Sequence, residues 1–138
     1  MSSNQYQAIN NYLQGVKPLR VKGKDVAWKE HWGKSGVFGK SLVSKLDGVP
    51  FSVTLKKFPK QEEIVREGGY VVHAHPTLEI GYVVKGKMKV YFEDVGVIEA
   101  EEGDVVVQPP GLEHAAVSTE EETMVVAINI PPADWEEK

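Results

Sequence analysis

Three of the chain's four histidines stand between Gly68 and Ser118, and together with Glu79 they have the spacing of a metal site. His73 and His75 are two positions apart, so on an extended strand both imidazoles leave the same face. Pro76 and Thr77 turn the chain, which lets Glu79 enter the neighbouring strand beside the pair. His114 follows the breaker Pro109-Pro110-Gly111 and would arrive from a distant strand. A His-x-His pair alone is an ordinary feature of a wet strand face. Glu79 and His114 at matching offsets turn the reading to a metal centre. Three imidazoles and one carboxylate suit one divalent first-row ion per chain, with Fe²⁺ favoured and Mn²⁺, Ni²⁺, Co²⁺ or Zn²⁺ as the other candidates. A six-coordinate ion would keep two positions for water, O₂ or a bidentate substrate.

At these residues the chain resembles the cupins, a family that carries metal ligands in two short motifs inside a small β-barrel. The first motif has a His-x-His pair, a glutamate four residues on and a glycine seven further, met here by His73, His75, Glu79 and Gly86. The second is met by Gly103, Pro109, Gly111 and His114, with Ser118 where the motif ends in asparagine. The resemblance implies an all-β fold, a double-stranded β-helix or jelly-roll β-barrel, with a short N-terminal arm or helix. It also implies a range of functions. The expectation placed first is a small metal-dependent enzyme, an Fe²⁺-type dioxygenase acting on a small oxygen-rich substrate. An O₂-independent sugar isomerase, epimerase or lyase using the metal as a Lewis acid is the alternative in chemistry. A metal-containing module that binds a small ligand without turnover is the alternative in class.

The rest of the sequence bounds these expectations. At 138 residues the chain suits one core and is too short for two. There is no cysteine, so neither disulfides nor thiolate ligands are available. No apolar run reaches membrane-spanning length, and the first residues lack a charged-then-apolar leader pattern, so a cytoplasmic protein with no membrane partner is expected. Net charge is −4, unevenly spread: residues 1–70 hold 12 Lys or Arg against 6 Asp or Glu, and residues 71–138 hold 4 against 14. The basic residues are scattered through strand-like sequence without interleaved aromatics, which argues against nucleic acid and for a self-complementary surface.

Elements that would position the ligands follow from pattern. Tyr6, Ile9 and Leu13 have helical spacing ahead of Gly15, although a frayed arm reads equally well. His31 between Trp28 and Trp32 reads as a packing cluster outside the metal's ligands. Val37–Leu46 and Phe51–Phe58 read as strands about an Asp47-Gly48 hairpin, the second alternating Phe51, Val53 and Leu55. Pro59–Gly69 reads as a loop. Tyr70–His75, Glu79–Val84, Lys87–Glu93, Gly96–Ala100, Asp104–Gln108, Ala115–Ser118 and Thr123–Ile130 complete the strands. The expected division is an arm over 1–35, a barrel over 36–132 and a tail over 133–138. Val105–Val107 and Met124–Ile130 are apolar on both faces, which predicts a covering layer outside the barrel, a homodimer extended by N-terminal strand exchange.

Overall fold

A computed structural model describes residues 3–31, 35–61, 72–120 and 122–133. Trp32, Gly68-Gly69, Tyr70-Val71, most of the 59–69 loop and the tail beyond Ala133 lie outside the described residues. The chain opens with α1 (Ser3–Leu13), whose Tyr6, Ile9 and Leu13 fall along one exposed side. A two-residue strand, β1 (Lys29–Glu30), follows a single 3-10 turn and was not legible in the sequence. Then come β2 (Phe38–Val43), β3 (Ser52–Pro59), β4 (Leu78–Lys85), β5 (Lys87–Phe92), β6 (Gly96–Glu101), β7 (Val105–Gln108), β8 (His114–Ser118) and β9 (Glu122–Ile130).

These strands form two antiparallel sheets, as expected of a jelly roll: one of six in the order β1-β2-β3-β9-β4-β7, one of three in the order β6-β5-β8. The sheets face each other across Phe58, Val83, Val106 and Val125 from the larger, and Met88, Val90, Phe92 and Val117 from the smaller. Each such buried side chain is worth about 1.5–3 kcal/mol of transfer free energy. Two sheets closed over a core replace the single hydrogen-bonded ring that the word barrel suggests.

Two local expectations come out differently. Asp47-Gly48 does not make a two-residue hairpin. Ser44 Oγ accepts from Leu46 N while Asp47 Oδ2 accepts from Ser44 N, and this reciprocal cap winds Lys45–Asp47 into a 3-10 turn closed by left-handed Gly48. His73 and His75 stand in no described strand; His73 makes one antiparallel bridge, to His114. Gly86 closes the β4–β5 turn at φ +91, where an added Cβ would also strike Glu122 and Thr123.

The direction of alternation matters most for the site. On β3 the buried positions are Ser52, Thr54, Lys56 and Phe58, so the apolar Val53 and Leu55 lie on the outer face. β9 likewise turns Thr123, Val125, Ala127 and Asn129 inward. β3 pairs with β9 and β9 with β4, which brings Ser52, Asn129 and Glu79 onto one inner rung; Gln108 of β7 extends it beyond Glu79.

Candidate metal centre

Glu79, Gln108 and Asn129 of the inner rung line a cavity of about 220 Å³ between the sheets. His73, His75 and His114 line one part of it, and Lys56, Glu79, Gln108 and Asn129 another. His73 and His114 exchange two backbone hydrogen bonds, His73 N to His114 O at 3.0 Å and His114 N to His73 O at 2.9 Å. This pairing holds their rings 4.7 Å apart, and the His75 ring stands 4.8 Å from that of His114. One nitrogen from each of the three can be chosen so that all lie within 4.8 Å of one another.

Hydrogen bonds decide which nitrogens face inward. His114 Nδ1 lies 2.9 Å from the carbonyl of Leu112, which only accepts, so Nδ1 carries the proton and Nε2 keeps its lone pair. His75 is fixed by a longer argument. Thr77 Oγ1 gives its one proton to Asn129 Oδ1 at 2.7 Å, so toward His75 Nδ1, 2.9 Å away, it accepts. His75 Nδ1 therefore donates, to Thr77 Oγ1 or to the Thr77 carbonyl at 3.1 Å, and its Nε2 is free for a ligand. Burial lowers the His75 pKa despite the opposing pull of Glu79 and the Thr77 carbonyl. Burial, aided by the neighbouring imidazoles, lowers that of His114 to about 4. Both rings are thus neutral at pH 7, the form that ligates a metal. The donors fit a divalent ion.

Glu79 lies in the same cavity but outside that group of three nitrogens. Its Oε1 accepts from Asn129 Nδ2 at 3.2 Å and from Lys56 Nζ at 3.5 Å. Burial by itself would raise its pKa; Lys56, His75, Asn129 and His114 outweigh that and hold the carboxyl below the usual range. A continuous chain therefore runs from His75 through Thr77 and Asn129 to Glu79 and Lys56. His31 stands apart from the cluster: it is buried with its ring against Gly39, and burial followed by the Lys56 charge lowers its pKa to about 4.

Lys56, Thr77, Gln108 and Asn129 did not emerge from the sequence as site residues. The one available signal was a lysine within a strand whose alternate residues are apolar, and that reads as a solvated edge until the inward parity is known.

Comparison with known proteins agrees with this fold. The family model described as "Cupin domain" matches residues 61–131. No curated protein matches the sequence. The structure resembles KdgF from a Halomonas species at 23% identity and TM-score 0.68, over 84% of this chain and 97% of that one. It resembles an RmlC-like cupin from Shewanella frigidimarina at 20% identity and TM-score 0.66, over 86% and 95%. It also resembles ectoine synthase from P. lautus at 12% identity and TM-score 0.71, over 87% and 83%. Likeness at these identities is likeness of fold.

Proposed function

The chain belongs to the cupin family, and on that premise we propose that it is a metal-dependent enzyme acting on a small oxygen-rich molecule within the cavity. The observation that carries the reading is the convergence of His73, His75 and His114, with the Nδ1 protons of His75 and His114 anchored so that Nε2 faces the ligand. Glu79 would complete the set through Oε2, its Oε1 staying with Asn129 and Lys56. A divalent ion held there supplies Lewis acidity or, if redox-active, electron transfer to O₂.

Between these chemistries, the polar side of the cavity favours O₂-independent isomerase or lyase chemistry. Lys56 can meet an oxygen as negative charge develops on it, and Gln108 can orient a hydroxyl; a substrate reacting through an enolate needs both. Buried Val83, Val90, Val106 and Val125 line the same cavity and give it an apolar wall beside these groups. The dioxygenase is the second reading, favoured by the three-histidine set, which leaves positions for substrate and O₂ together. Sugars, keto acids and diketones assayed with defined metals, in air and without it, separate the two. Turnover undiminished without O₂ supports the first, and O₂ uptake matched to substrate loss supports the second. Thermal stabilisation by a ligand without turnover under any metal replaces both by a binding module.

A homodimer belongs to the same reading. Val105 and Val107 on the edge strand β7, Tyr82 on β4 and Ile130 on β9 form an exposed apolar area on the outer face of the larger sheet, 57% exposed at Val105. A second copy of this face would cover it, with exchange of the N-terminal segments as the expected extension. The cytoplasmic location rests on the cysteine-free sequence.

A further inference from the structure

We propose that Lys56 and Gln108 form the anchoring subsite for a small hydroxylated carboxylate, whose carboxylate meets the Lys56 ammonium and whose hydroxyl donates to Gln108 Oε1. The inference rests on the cavity being the substrate site and adds the class of substrate.

Lys56 is a cation in a cavity that it shares with apolar Phe58, Val83, Val106 and Val125, and its side chain is about nine-tenths buried. An ammonium has three donors. Among the described residues Nζ has one hydrogen-bonding partner, Glu79 Oε1 at the long distance of 3.5 Å, and Asn129 already draws on that oxygen. A buried charge held by one long contact is poorly compensated, so a second anion in the cavity meets an incomplete coordination.

Gln108 supplies an independent observation. It is 7% exposed and lines the same cavity, and its Oε1 is buried with no hydrogen-bond partner among the described residues. A buried acceptor without a donor calls for one, and a ligand hydroxyl supplies it.

Register sets the two groups on either side of Glu79. Gln108 is its direct neighbour on β7. Lys56 reaches it from β3 across β9, where Ala127 stands between the partner positions Val125 and Asn129 and offers little obstruction. The three histidines lie in the same cavity, so a molecule anchored here can also present oxygens to them. At about 220 Å³ the space is below the roughly 300–1,000 Å³ of pockets for drug-sized ligands, which limits the acid to a small one.

The test is calorimetric binding, with no turnover required, to metal-loaded protein whose metal content is measured in parallel. The probes are lactate, glycerate, tartrate and gluconate, each beside its neutral amide or alcohol counterpart, and propionate as lactate without its hydroxyl. The expected result is that at least one hydroxy acid binds more tightly than its neutral counterpart. Lys56→Met weakens that acid about ten- to a hundredfold, keeps the metal and changes the neutral compound little. Gln108→Leu weakens lactate but not propionate, a second handle should Lys56→Met fold poorly. Equal binding of acids and neutral counterparts by the unaltered protein overturns the proposal, as does undiminished acid binding by Lys56→Met. Loss of metal together with acid in Lys56→Met also overturns it, making Lys56 a support for Glu79. Failure of the metal reading is distinct: protein without stoichiometric metal would still bind the acid through Lys56.

Discussion

The two faces of the six-stranded sheet depart from the usual pattern around the cavity. Its inner face, between the sheets, carries Ser52, Thr54, Lys56, Glu79, Gln108 and Asn129, all buried. Its outer face carries Val105, Val107, Tyr82 and Ile130, all exposed. A half-buried antiparallel sheet ordinarily turns apolar residues to the core and polar ones to water. Here part of the interior, beside Phe58, Val83, Val106 and Val125, is held by groups that cost free energy to bury unless they are partnered. The difference fits the proposed reading, in which the polar part of the inner face serves a ligand and the exposed apolar outer face a second copy of the chain.

The largest expected effect comes from the imidazoles that border the cavity. His75→Ala or His114→Ala should reduce metal affinity more than about a hundredfold and leave a folded β-protein. Elemental analysis together with far-UV circular dichroism checks it, and full loading of both variants would refute the assignment.

Acid should act next, on the buried imidazoles. His31 and His114 have folded pKa values of about 4, below the ordinary 6.5, so between these values the unfolded chain binds more protons than the folded one. Stability of the metal-free protein is therefore full above pH 6.5 and falls as pH drops toward 4. His31, fully counted, contributes on the order of 3 kcal/mol to that fall. Urea unfolding at pH 7 and pH 4.5 should show His31→Leu with the shallower loss; identical slopes would place the proton uptake elsewhere.

A finer cut removes one link of the chain behind His75. Thr77→Val deletes the hydroxyl that accepts from Nδ1 and donates to Asn129, and should weaken metal binding about ten- to a hundredfold without abolishing it. Competition with a chromophoric chelator reads this directly, and wild-type affinity would show that the Thr77 carbonyl orients the ring alone.

The smallest effect on the site is expected from the other face. Val107→Lys should leave metal content unchanged and lower the mass in light scattering from two chains to one. An unaltered protein that is already monomeric would remove the dimer from the account.

Chemically specific residues were legible in the sequence because their spacing is local. His73 and His75 are two apart, and Gly86 and Gly111 mark turns at positive φ that other residues rarely adopt. The strands from β2 to β9 were visible for the same reason, in breakers and alternation. Asp47-Gly48 misled because Ser44 and Asp47 satisfy each other's backbone groups, a competing arrangement just as local.

What the sequence determined by itself is thus the His73–His75 pair and most strand limits, each written within a few residues of chain, while the jelly-roll class and the place of His114 beside the pair drew also on the cupin resemblance. Tertiary structure alone decided which side of each strand faces in. A period of two states that Val53 and Leu55 share a face and that Thr54 and Lys56 share the other, but both assignments satisfy it equally. The choice is made by pairing β3 with β9, β9 with β4 and β4 with β7, contacts between residues as far apart as Ser52 and Asn129. That pairing sets Lys56 on one side of Glu79 and Gln108 on the other, a polar cluster assembled from residues that no local pattern connects.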